Sequence, residues 1–413
     1  MRSLVRDHVA VSVAGRRTPT AHIAAEYAAA EHPGGAATSY FDGRRLSVTG
    51  AAWANGVLAN ALDFDDGHRL TKGHPGANVI PAALAVAETT EADPEELLAA
   101  IAVGYEIAIR AGIELHERSS EYHASGAWGA LGAAAASASL LGLEPAGIAA
   151  ALGLAEYHAP GAPIMRSVAE PAMTKDACGW GALLGTSAAL LAARGFTSVG
   201  SVFAERACPD LGERWRVEEV YVKKFPCCRW AHPALEAAFR LRAEHGFAPD
   251  DVGQVEIRSF AELAGVARGL PRTTEEAQYS VVWPVAVALA HNRFGPDDVL
   301  GPGLADRAAR ALVPLIQVTV DPGLDRAFPA RRLAVVTVTT RDGSTFTSPA
   351  TEAPGEPEDP EWAAIIEAKL AAVAAEQGHP SPGLPKSPAD SRLAELLALV
   401  TTREPTGAAT RDA

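Results

Sequence analysis

Asp63, Asp65 and Asp66 stand a few residues ahead of His68 and His74 in ANGVLANALDFDDGHRLTKGHPGANVIPAALAVAE, residues 54–88. Histidine changes charge near neutral pH, and a carboxylate beside it holds its ring and tautomer, so such a pair can give or take a proton. His74 lies in a Gly-His-Pro-Gly turn between two Ala-rich segments of helical spacing. Turns held on a scaffold are where reactive side chains are displayed. The competing reading is a polar loop with a capping aspartate.

Other segments carry groups of the same kind. His123, in SSEYHASGAWGALGAAAA, opens an Ala/Gly-rich helix; a helix N-terminus opposes protonation, so a neutral ring is expected there. Lys175, in MTKDACGWG, precedes another small-residue helix, where its charge does not help the helix, so a ligand-facing role competes with a surface pair to Asp176. Lys223 and Lys224, in YVKKFPCCRWAHP, sit where a strand meets a turn, with Arg229 and His232 close behind. Tyr279, in EEAQYSVVWPVAVALA, could donate its hydroxyl, although a lone tyrosine is more often a core residue. Lysines occur only at 72, 175, 223, 224, 369 and 386. Unlike arginine, a desolvated lysine can lose its proton.

These groups need a scaffold, and 413 residues exceed one ordinary core, so two domains are expected. Hydrophobic content of 48% with 21% charge describes a globular chain rather than a disordered one. The net charge of −14 and the lack of a basic block exclude nucleic acid and an anionic membrane surface as expected partners. Cys178, Cys208, Cys227 and Cys228 suggest neither a disulfide framework nor a zinc site. Cys227 and Cys228 read as small buried residues rather than nucleophiles. The N-terminus is too short of apolar residues for a signal peptide. Residues 126–143 read as a buried, closely packed helix rather than a membrane span. A cytoplasmic protein is expected.

Residues 1–215 read as successive helices at 21–31, 51–62, 80–88, 94–112, 126–142, 145–155 and 176–194. From about 216 to 352 the texture changes to α+β. Strands are expected in VEEVYVKKF, VGQVEIRSF, LIQVTVDPG and RLAVVTVTTRDGSTFTS, with a hairpin turn at 341–344 and helices at 232–245 and 274–292. Residues 353–400 return to helix, at 358–376 and 388–400, and pack back onto the first domain. The tail, 401–413, is expected to be disordered.

Asn55-Gly56, Leu62-Asp63-Phe64-Asp65-Asp66, His74-Pro75-Gly76 and Pro81-Ala82 together resemble the hallmark of the MmgE/PrpD family, and further matches recur in order over residues 5–350. That family includes 2-methylcitrate dehydratase, cis-aconitate decarboxylase and iminodisuccinate epimerase. The resemblance implies a mostly α fold: a large all-helical domain with a smaller α+β domain over it as a lid. It also implies a homodimer and a small anionic, polycarboxylate-like substrate, with no organic cofactor. Relatives carry an extra helix before VRDHVAVSVAG, so docking of this N-terminus is an open expectation.

Carried over by motif, the catalytic set is Asp63, His74, His123, Lys175, Lys223 and Tyr279, with Lys72, Lys224, Arg229 and His232 as further substrate contacts. The resemblance implies chemistry at a carbon next to a carboxylate. His74 would move the proton, Asp63 would orient it, Lys175 and Lys223 would hold carboxylates, and His123 and Tyr279 would complete the relay. A neutral histidine beside lysines would allow base chemistry near neutral pH. A hydro-lyase or decarboxylase is the first reading, an epimerase the second, and a non-catalytic binding protein the third. Asp-Phe-Asp-Asp is also similar to the metal motif of terpenoid synthases, but no second Asn/Ser/Glu motif follows and aromatics are 6%, so no metal is expected.

Overall fold

The structure, a computed structural model, describes residues 1–206, 208–266 and 269–377. Its first part is built from the helices Arg2–Gly15, Pro19–Glu31, Val48–Asn60, Gly76–Ala87, Pro94–Arg118, Gly126–Leu140, Pro145–His158 and Cys178–Ala192. Local chemistry sets their starts. Ser47 accepts from Gly50 N–H, and Asp93 and Glu96 form a capping box ahead of Pro94, which satisfies amides a helix start leaves unpaired.

The Gly126–Leu140 helix is the hub, packed against Pro94–Arg118 and Cys178–Ala192. A Cβ on Gly132 would lie 2.4 Å from the Gly104 carbonyl oxygen, and one on Gly185 2.3 Å from that of Ala130. The helices therefore touch backbone to backbone, and only the smallest side chains fit. Residues 126–138 are all buried, as an evenly apolar helix requires. No described helix is long and apolar enough to cross a membrane.

The α+β part centres on Val252–Ser259, which pairs in parallel with Ile316–Val320 and antiparallel with Leu333–Thr340. The latter turns at 341–344 into Thr345–Thr347, and Thr351–Glu352 extends it on another stretch. His232–His245 and Val282–His291 form its helical layer. Two expectations need correction. The long strand at 217–225 shrinks to Val220–Tyr221, which pairs with Gly67–His68 rather than joining the larger sheet. Its continuation is diverted because Lys223 turns inward to Asp63, and Pro226 then removes a ladder donor. The helix at 274–292 is interrupted: Thr274–Gln278 ends at Tyr279, and Val282–His291 restarts with Pro284 in its first turn, where proline is tolerated.

Trp362–Gln377 returns to the first part and packs on Arg2–Gly15. Buried Lys369 reaches Asp7 at 2.7 Å and Arg6 reaches Glu367 at 2.8 Å. The N-terminal helix is thus docked on Trp362–Gln377. The expected helix 388–400 and tail 401–413 lie outside the described residues.

Candidate active site

The turn after Val48–Asn60 runs through Asp63, Asp65 and Asp66 and returns through His74 to the start of Gly76–Ala87. Asp63 takes up φ 51°, in the left-handed region, which costs a non-glycine residue roughly 1 kcal/mol or more and is found where a site demands it. Lys72 and Lys175 share this backbone region, at φ 53° and 42°.

Buried His74 is held from both ring nitrogens. Its Nε2 lies 3.2 Å from Asp63 Oδ1 and 3.8 Å from Asp176 Oδ2. Its Nδ1 donates to the Asp66 carbonyl oxygen at 3.0 Å and lies 3.0 Å from Asp65 Oδ2. Burial by itself would discharge the ring, but Asp65, Asp176 and Asp63 outweigh it and the opposing Lys223, so His74 is raised well above its ordinary value. In contrast to the expected neutral histidine beside lysines, carboxylates close to both ring nitrogens favour the protonated ring.

Lys223 Nζ donates to the Asp63 carbonyl oxygen and pairs with Asp63 Oδ1, both at 2.9 Å. Burial opposes the Asp63 charge, but Lys223, Lys175 and His74 hold it well below the usual carboxylate range. Tyr279 donates to Asp176 Oδ2 and Ser125 to Asp176 Oδ1, each at 2.9 Å. Asp176 is therefore a buried member of the cluster, not the surface partner of Lys175. Lys175 is itself buried, its pKa lowered first by desolvation, and its Nζ donates to Gln278 Oε1.

Gln278, fully buried, also donates to the Ala61 carbonyl oxygen at 3.1 Å, so its amide orientation is set from both ends. We expect Gln278→Leu to leave the Ala61 oxygen and the Lys175 amine without this partner, lowering stability by about 1–3 kcal/mol. A urea denaturation series measures it; an unchanged midpoint would show the amide to be dispensable.

Asp63, His74, Asp176, Lys223 and Tyr279 line one cavity of about 40 Å³, together with Lys72, Arg229 and Arg332. That is space for a few waters. Lys175 lies behind this wall, beside a second cavity of about 220 Å³. Asp63, His74 and Asp176 also offer ligand atoms within 4.8 Å of one another. In this arrangement those atoms already face the Lys223 ammonium and the Tyr279 hydroxyl, so a cation would have to displace both.

The structure does not gather every expected residue. His123 lines a neighbouring cavity of about 310 Å³, its Nδ1 3.1 Å from the Glu121 carbonyl oxygen and its ring stacked on His116. Lys224 points outward to Glu236 at 3.2 Å. His232 is fully buried, its Nε2 3.2 Å from the Cys227 carbonyl oxygen and its pKa pushed well down by burial; it packs on Phe225. Neither Lys224 nor His232, expected as substrate contacts, lines the cavity that holds His74. His68 lies buried 3.3 Å from Glu219, tying Gly67–His68 to the segment before Val220–Tyr221. Cys227 and Cys228 are buried and unpaired, with burial pushing Cys228 up to about 11. The sequence offers Asp176 only as a surface partner of Lys175, and it singles out neither Gln278 nor Arg332, whose roles depend on contacts far along the chain.

Residues 1–208 match the model of the MmgE/PrpD N-terminal domain and residues 225–383 that of the C-terminal domain. The chain is 26% identical over 373 residues to a cis-aconitate decarboxylase of Homo sapiens, covering 84% of this chain and 77% of that protein. It is 26% identical over 376 residues to one of Mus musculus, covering 84% and 76%. A cis-aconitate decarboxylase of Aspergillus terreus (strain NIH 2624 / FGSC A1156) is likewise 26% identical over 273 residues, covering 59% of this chain and 55% of that protein.

Proposed function

The chain belongs to the MmgE/PrpD family, and from that premise we propose that it is a cofactor-independent decarboxylase of a small unsaturated polycarboxylate, with cis-aconitate the first substrate to test. The observation that carries the reading is His74, its ring nitrogens within 3.0–3.8 Å of Asp63, Asp65 and Asp176 carboxylate oxygens, at the wall of a cation-lined cavity. Decarboxylation of an allylic acid releases CO₂ and passes the bonding electron pair through the double bond to the far carbon, which must then take a proton. His74 is the donor for that step. Lys223, in the cavity wall, balances the negative charge that develops on the remaining carboxylates. Tyr279 keeps Asp176 in place.

The cavity, at about 40 Å³, is far smaller than the usual ligand cleft of roughly 300 Å³ or more, which supports entry of substrate with movement of the α+β part as a lid over the helical part. The division at about 215 and 352 follows from this reading. Homodimerisation through the helical part is supported by exposed Ile23, Tyr27, Met173 and Trp180, and the unpaired cysteines suit a cytoplasmic setting.

Proton NMR in D₂O with cis-aconitate tests the reaction. The expected result is CO₂ release with one solvent deuterium at the newly protonated carbon. Water loss from citrate-type acids without CO₂ would instead support a hydro-lyase. Exchange without net conversion would support an epimerase, and binding without exchange a non-catalytic protein.

A further inference from the structure

Beyond the His74 network the same cavity holds a second set of cations whose charge the described residues leave incompletely balanced. Arg332 is 3% exposed. Its Nη2 donates to the Arg69 carbonyl oxygen at 3.1 Å, while its Nε and Nη1 have no hydrogen-bond partner among the described residues. The nearest carboxylate, Glu356, lies 3.7 Å away and is already engaged at 2.9 Å by both Arg229 and Arg69. The guanidinium lies against the Tyr221 ring, 5.5 Å from its centroid.

Lys72 is the second member. Its ammonium sits 4.0 Å over the Tyr122 ring, its hydrogen-bond acceptor is the Leu70 carbonyl oxygen at 3.4 Å, and no carboxylate among the described residues pairs with it. Burial and then Arg332 push its pKa down to about 8, so it and Arg332 already oppose each other. A buried guanidinium with two free donors is costly unless an anion arrives. Lys72 and Arg332 line the same cavity, so an anionic group bound there can approach both cations.

We propose that Arg332 and Lys72 form a second carboxylate subsite, binding a carboxylate of the substrate other than the one beside His74. The proposal rests on the functional reading above but concerns binding rather than the reaction. Arg332 brings the free donors, and Lys72 adds charge.

Isothermal titration with propane-1,2,3-tricarboxylate, which has no double bond to accept the electron pair, tests it on the full chain. Arg332→Gln is expected to weaken binding at least about 30-fold, in the range for removing one partner of a buried charge pair, and Lys72→Met, at a half-buried position, about 10-fold. Arg331→Gln is the control, because Arg331 is exposed and paired with Glu352 at 2.9 Å; it should change affinity less than about two-fold. Lys72→Met, at a half-buried position, decides the matter should Arg332→Gln fail to fold. Affinities within about three-fold of wild type in both variants, or no binding by the wild type, would overturn the subsite. Arg332-dependent binding without CO₂ release from cis-aconitate would keep the subsite and remove the decarboxylase reading. CO₂ release with KM unchanged in both variants would do the reverse.

Discussion

A His74→Gln protein is expected to lose about a thousand-fold or more in kcat, near the upper part of what a positioned proton donor contributes. Glutamine can donate from its amide nitrogen to one of the flanking carboxylates, but it carries no proton of the required acidity. The pH dependence supplies a second readout. The folded pKa of His74 is raised above its unfolded value of about 6.5 by the surrounding carboxylates, against burial. The stability this group contributes is therefore fully present below about pH 6.5 and is lost as pH rises through the raised folded value. Activity that needs the imidazolium follows the same sign, level through neutrality and falling on the alkaline side. In His74→Gln that alkaline loss of stability should vanish with the activity. A rate that instead rises with pH through about 6.5 would make neutral His74 a base and end the donor assignment.

Lys223→Met should be the most destabilising single change in the site, by about 3–5 kcal/mol, because it leaves Asp63 as a buried charge short of its closest cation. The same ammonium also holds the Asp63 carbonyl oxygen at 2.9 Å, so the left-handed turn at Asp63 loses its anchor as well. Neutralising the partner tests the mechanism of the loss. Asp63→Asn placed on Lys223→Met should recover part of the stability while activity stays absent, a positive coupling that a double-mutant cycle reads directly. Additive losses would mean that the two groups act independently, against the contact at 2.9 Å. Denaturant midpoints and kcat measured on the same four proteins separate the two effects.

Where chemistry is local, the residue order alone makes it legible. Asp63 and His74 share one turn eleven positions apart, so their meeting needs only that turn to close. The helices of the first part are equally legible, since long alanine runs broken by glycine and proline allow little else. The α+β strands at 252–259, 316–320 and 333–347 show through their alternation. The two failures, at 217–225 and at Tyr279, have one cause. Both segments enter the site, and the demand for Lys223 and Tyr279 in the interior overrides their local propensity.

By its own composition the chain determined helical packing, the reactive turn and the surplus of anionic charge, because these follow from residue type and short-range spacing. Tertiary structure alone decided which charges meet. It turned Asp176 inward, sent Lys224 out to Glu236, and buried His232 against a backbone carbonyl. It also brought Arg332 to Lys72 across the cavity wall with its donors unfilled. The physical reason is that a pKa, or the need for a counter-ion, belongs to a neighbourhood of side chains far apart in sequence. Protonation of His74 depends on carboxylates at 63, 65 and 176, and only the closed fold puts all three around one ring.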